Sequence, residues 1–104
     1  MVEKSTIVEQ IEILADGHIQ IRFALLLVED GKVIDRKLHR TAVEPGGDVD
    51  AQIAAVNEHL SRMEKTPVPT SDTDRVKAHA AVAWTKEIVD AHRARVAKAL
   101  EDRR

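Results

Sequence analysis

Five histidines, His18, His39, His59, His79 and His92, have the widest chemical repertoire in this chain. A neutral imidazole binds metals and carries protons near neutral pH. On a helix, metal-binding pairs stand three or four positions apart so that both rings reach one ion, and no two of these histidines have that separation. Glu58 adjoins His59 and Asp90 lies close to His92, yet neither pair belongs to an H-E-x-x-H pattern. His79 falls three after Val76 and four before Ala83, while His92 falls four from both Ile88 and Val96. Those spacings put both rings inward or at the edge of an apolar stripe, as structural histidines rather than metal ligands.

Nucleophilic chemistry has little to work with. Ser5, Ser61 and Ser71 are the only serines, and none stands in a G-x-S-x-G turn. Ser71 has the position of a helix cap. The absence of Cys removes thiol catalysis, disulfides and cysteine-ligated metal centres. The paired acids Glu29 and Asp30 adjoin a turn glycine and solvate it. Pro45-Gly46-Gly47-Asp48 joins a strand pattern to a helix pattern, the place of a phosphate cradle. It lacks the Lys-Ser/Thr pair of a P-loop and the spaced glycines of a dinucleotide loop, and Asp48 and Asp50 stand where an anion would sit. A turn with an acidic cap is the reading. A short chain also has little material for a closed pocket of ~300 Å³. No enzyme activity, metal or cofactor is expected.

Charge is unevenly spread. Residues 1–74 hold 14 acids and 8 bases, whereas residues 75–104 hold 4 acids and 8 bases, so the net charge of −2 joins two unlike parts. Arg93, Arg95, Lys98, Arg103 and Arg104 could meet phosphates, but Glu87, Asp90, Glu101 and Asp102 are interleaved with them. Basic residues late in a helix also complement its dipole. The segment reads as a solvated face or a protein-facing patch around Arg93, and nucleic acid is not expected as a partner. Trp84, the one large aromatic besides Phe23, is either a core anchor or an interface hot spot.

The elements that must position these residues change type midway. From Ser5 to Leu14, Ile7, Glu9, Ile11 and Ile13 alternate with Thr6, Val8, Gln10 and Glu12, close to the period of a strand. Asp16-Gly17 and Asp30-Gly31 are hairpin signals, because a type I′ turn needs positive φ at both central residues. They bracket the most apolar run, Ile19 to Val28, which is therefore the centre of an antiparallel meander ending near residue 44. Gln20 and Arg22 give that run a polar face, but Leu26 and Val28 continue the same face as apolar. The Ala24–Val28 end is expected to be covered on both faces, by the chain's own helices or by a partner.

After Glu44-Pro45-Gly46-Gly47 the apolar spacing becomes helical: Ile53, Val56, Leu60 and Met63 form one stripe of a helix over about 50–65. Thr66-Pro67-Val68-Pro69-Thr70 is a stiff connector, since proline lacks a donor and restricts its predecessor. Ser71 or Asp72 can cap a helix through Val76, Ala80 and Ala83, and Thr85 can cap a last one through Ile88, His92, Val96 and Leu100. Whether the two are continuous is open at this point. Glu101 to Arg104 have nothing to bury and are expected to fray. The sum is one α+β domain over 1–104, a three-stranded antiparallel β-meander (5–44) followed by two or three α-helices packed on one sheet face. The longest apolar run, Phe23 to Val28, falls far short of the ~20 residues of a membrane span, and the first residues lack the layout of a secretory signal. A soluble domain made in the cytoplasm, with no membrane partner, is expected.

The order Asp16-Gly17-His18-Ile19-Gln20-Ile21-Arg22, Glu29-Asp30-Gly31-Lys32, His39-Arg40, Glu44-Pro45-Gly46-Gly47-Asp48 and Ala81-Val82-Ala83-Trp84-Thr85 resembles a group of small proteins encoded by tailed bacteriophages and prophages. The resemblance spans residues 7 to about 95. Lys86 stands where those proteins often carry proline after the Trp-Thr pair. Their genes lie among virion structural genes, often near tail fibres, and no catalytic residues come with the likeness. It implies a virion-associated structural or accessory protein, in the tail in preference to the capsid, made in the host cytoplasm and acting through contacts with phage structural proteins or itself as a homo-oligomer. A non-virion fibre-assembly chaperone and a small nucleic-acid-binding regulator are the alternatives. Leu26, Val28, His39, Arg40, Trp84 and Arg93 are the candidate protein-interface residues.

Overall fold

A computed structural model describes residues 1–103. Three strands, β1 (Val2–Ile13), β2 (Ile19–Glu29) and β3 (Lys32–Val43), precede three helices, α1 (Val49–Arg62), α2 (Thr70–Ala83) and α3 (Lys86–Asp102). The sheet is an antiparallel meander of order β1-β2-β3. The expected α+β arrangement is the observed one.

The two Asp-Gly turns differ. Asp30 and Gly31 both have positive φ, 49° and 81°, as a type I′ turn requires. At the first turn only Gly17 is left-handed, with φ 98°. Its N–H donates to Leu14, and the Leu14 N–H donates to His18, each over 2.9 Å. This is the longer hairpin loop with one left-handed glycine, not the type I′ turn expected there. Asp16 is free to use its carboxylate instead, accepting the backbone N–H of His18 over 3.0 Å.

β1 does not keep the single alternation its sequence suggests. Val8 pairs with Phe23 and Gln10 pairs with Arg22, leaving Glu9 as the extra residue of a β-bulge. Thr6 and Val8 face the helices before the bulge and Ile11 after it, while Ile7 is turned to the opposite face. On β2, Ile19, Ile21, Phe23 and Leu25 all face the helices and are buried. Full burial of a side chain of this class contributes ~1.5–3 kcal/mol, so this one strand face carries much of the fold's stability.

Asp48 caps α1 by accepting the Ala51 N–H over 3.0 Å. The helix crosses the inner sheet face with Ile53, Val56 and Leu60 buried. Met63, expected in that stripe, is the C-cap and 41% exposed because the helix ends there. The N–H of Lys65 returns to Leu60 and that of Glu64 to Ser61, a Schellman closure with Glu64 at φ 58°. The connector is pinned by the Val68 N–H donating to the Asn57 side chain over 2.8 Å.

Neither Ser71 nor Asp72 caps α2. The helix starts earlier, at Thr70, with Pro69 as its N-cap and no side-chain cap bond. That start aims Asp72 at the sheet edge, where its carboxylate accepts the Val8 N–H over 2.8 Å. One turn later Arg75 donates to the Val8 carbonyl over 2.8 Å. Two helix side chains thus satisfy both outward backbone groups of Val8 beside the bulge. Thr73, Val76 and Ala80 form the buried stripe, and His79 lies outside it, exposed, contrary to the inward placement its spacing suggested.

The Trp84-Thr85 pair is a true break: α2 ends at Ala83, and Thr85 caps α3 by accepting the Ile88 N–H over 3.3 Å. α1 and α2 lie on the sheet face, whereas α3 crosses the sheet's end, seated on two glycine turns. A Cβ on Gly17 would stand 2.4 Å from Ile88, and one on Gly46 would stand 3.0 Å from Val89. Glu101 and Asp102, expected to fray, belong to α3, with Arg103 as its C-cap. Arg104 lies outside the described residues.

Candidate interaction surface

Side chains alternate across a strand, so the face of β2 opposite the helices presents Gln20, Arg22, Ala24, Leu26 and Val28. The register extends this face into cross-strand rows: Ile7–Ala24–Leu38, Ser5–Leu26–Arg36 and Glu3–Val28–Val33. No helix covers it. Ile7 is 38% exposed, Leu38 40% and Val33 54%, while Leu26 and Val28 are half-buried. Of the two ways in which the Ala24–Val28 end is expected to be covered on both faces, the chain's own helices supply cover on the inner face alone. α1 and α2 are both committed to the inner face, and α3 is tied to the turns.

Ala24 is nevertheless fully buried. Ile7 and Leu38 flank it, and an ionic bridge crosses the face beside it. Arg22 donates through Nε to Glu9 over 2.8 Å, and Arg36 pairs with the other oxygen of the same carboxylate. The bulge makes this possible by turning Glu9 to the outer face. Toward the first hairpin, Gln10, Glu12, Gln20, Arg22, Arg40 and Ala42 surround an open concavity of about 550 Å³. Arg40 stands directly across from Arg22, is exposed, and has no ion-pair partner among the described residues. Like charges in register repel, and the Glu9 carboxylate, shared by Arg22 and Arg36, weakens that repulsion.

Three of the six residues singled out from sequence, Leu26, Val28 and Arg40, share this face. His39 and Arg40 are neighbours on one strand and so point to opposite sides. His39 lies on the inner face, between Phe23 and His59 of α1, its ring 5.1 Å from that of His59. Burial, followed by the nearby His59, lowers its pKa from the usual 6.5. Trp84 is half-buried against the core, and its indole N–H donates to the Gly17 carbonyl over 2.6 Å. Its geometry is that of an anchor between the helix break and the first turn. Arg93 stands apart, beside Gly46 in a groove that also includes Pro45, Val96 and Leu100. Sequence reasoning missed Ile7, Glu9 and Leu38. The available signal was the spacing of Val8 and Ile11, three apart, which breaks a strict two-residue period.

The remaining polar clusters are local. His18 and His92 meet edge to face at 5.1 Å between centroids. His18 Nδ1 lies 3.0 Å from Asp16, and Nε2 of the buried His92 lies 3.0 Å from Glu44. The backbone N–H of His18 is the main cause holding the Asp16 carboxyl below its usual 3.8. Lys77 donates to Asp50 over 2.9 Å, tying α2 to α1, and this bond raises the lysine's pKa. Among the described residues, no three His, Cys, Asp or Glu side chains converge to hold a metal, and no helix is long and apolar enough to cross a membrane. In comparisons with family models, curated proteins and solved structures, the chain matches none.

Proposed function

We propose that this chain is a virion-associated structural or accessory protein of a tailed bacteriophage, working through protein–protein contacts in the tail or fibre-attachment region rather than by catalysis. The observation that carries the reading is the uncovered outer face of the sheet. Apolar residues from all three strands lie there in register, with Leu26 and Val28 at the centre. Contiguous apolar surface rimmed by charge marks contact sites for other proteins. The likeness of the Asp-Gly, His-Arg, Pro-Gly-Gly and Trp-Thr segments to phage-encoded proteins supplies the setting.

Mass spectrometry of particles purified in high salt from an encoding strain tests the proposal. The chain is expected to co-purify with intact particles. Its absence from particles, together with binding to a free fibre protein, would make it an assembly chaperone instead. Salt-dependent retention on DNA would move the function to the basic 86–104 segment. Either result overturns the virion reading.

A further inference from the structure

Resting on the reading of the outer face as a protein-contact surface, we propose that its occupant is a second copy of this chain, docked face to face with β1 of each copy over β3 of the other. The charges of this face are sorted by strand. Its carboxylates, Glu3, Glu9 and Glu12, all stand on β1, and its guanidiniums, Arg22, Arg36 and Arg40, stand on β2 and β3. The face is neutral as a whole but acidic along one margin and basic along the other. Such a surface complements its own copy turned half a rotation about an axis parallel to β2, which gives a closed, isologous pair.

That rotation keeps each cross-strand row level with itself. Ile7 comes to lie over Leu38 of the second copy, and Leu26 over Leu26. Arg40, free of any ion pair within its own chain among the described residues, meets Gln10 and Glu12 of the opposite β1. Arg22 falls near the axis, where it and Arg36 share the single carboxylate of Glu9 in its own chain. The other face-to-face dyad, perpendicular to the strands, sets β1 over β1 and β3 over β3. It stacks Glu12 over Glu3, and it sets Arg40 over Arg36, whose partner Glu9 is shared with Arg22, so like charge meets like charge most fully at the acidic margin. The charge sorting therefore selects one of the two alignments by penalising the other.

Sedimentation velocity on the full chain across a concentration series is the test. The wild type is expected to pass from monomer to dimer below about 200 µM, a range suited to a small three-stranded interface. Leu26→Asp, on a half-buried outer position, is expected to leave the circular dichroism unchanged and abolish the dimer in that range. Glu12→Arg and Arg40→Glu are each expected to weaken it about fivefold, because each change occurs twice across the two-fold. Glu12→Arg combined with Arg40→Glu is expected to recover most of the loss. A wild type that stays monomeric, or a dimer indifferent to Leu26→Asp, overturns the proposal. Failure of the double reversal to recover the dimer overturns the alignment. A monomer still found in particles would sink the self-association while leaving the virion reading standing.

Discussion

The indole N–H of Trp84 donates to the carbonyl of Gly17 over 2.6 Å, joining two segments 67 residues apart. The same glycine receives Ile88 so closely that a Cβ there would stand 2.4 Å from it. Gly17 is thus required twice, for a left-handed turn and for the seat of α3.

Gly17→Ala is expected to lower stability by about 2–3 kcal/mol, combining the φ penalty with overpacking. Urea denaturation measures it. In a double-mutant cycle, Ile88→Ala is expected to relieve the steric part, so the pair loses less than the sum of the single changes. Strict additivity would show that the close approach does not matter.

At the sheet edge, Asp72→Ala removes the acceptor for the Val8 N–H beside the bulge. The expected loss is about 1–2 kcal/mol, the usual consequence of leaving a half-buried donor unpaired. Asp72→Asn keeps an acceptor oxygen and is expected to lose less. Hydrogen exchange at the Val8 amide reports the effect directly, and unchanged protection in Asp72→Ala would refute the clamp.

Stability is expected to fall on mild acidification because of His39. Its pKa in the fold lies below the unfolded value of 6.5, so between the two the unfolded chain binds more protons. Stability therefore declines as pH drops through 6.5 and levels off below the folded pKa. Asp16 acts in a lower window: its carboxyl is held below 3.8, so its contribution is present above that value and lost in stronger acid. Denaturation midpoints measured across pH for the wild type and His39→Gln separate the two, since only the upper step should vanish in the variant.

Glu64 closes α1 in the left-handed conformation, at φ 58°. A non-glycine residue there costs about 1–2 kcal/mol, partly offset by the greater chain entropy of glycine when unfolded. Glu64→Gly is expected to raise stability by about 0.5–1 kcal/mol in thermal or urea unfolding. The Lys4 ammonium bonds the backbone carbonyl at this position, so the replacement keeps that contact.

The parts of this fold that local chemistry dictates were legible in the sequence. Asp30-Gly31 specifies its turn, Ile53, Val56 and Leu60 specify a helix face, and Thr85 specifies a helix start. What was not legible depends on long-range choices. A bulge at Glu9 costs one unpaired residue locally and gains an ionic bridge to strands far along the chain. Asp72 has the sequence of a cap, yet it serves an edge peptide 64 residues away. On the uncovered outer face, the apolar half of β2 pointed to Leu26 and Val28, which do lie there. It held no information on Ile7 and Leu38, whose facing depends on the register of their neighbours.

The seating of α3 on two turns also shapes how the molecule opens. The buried apolar cluster draws on the sheet, α1, the connector and α2, and contains no residue of α3. Lifting that helix away breaks the Gly17, Gly46 and Glu44 contacts but leaves Phe23 and its neighbours packed. The last helix is thus expected to detach as a unit below the free energy of global unfolding, its amides exchanging as a group before those of β2.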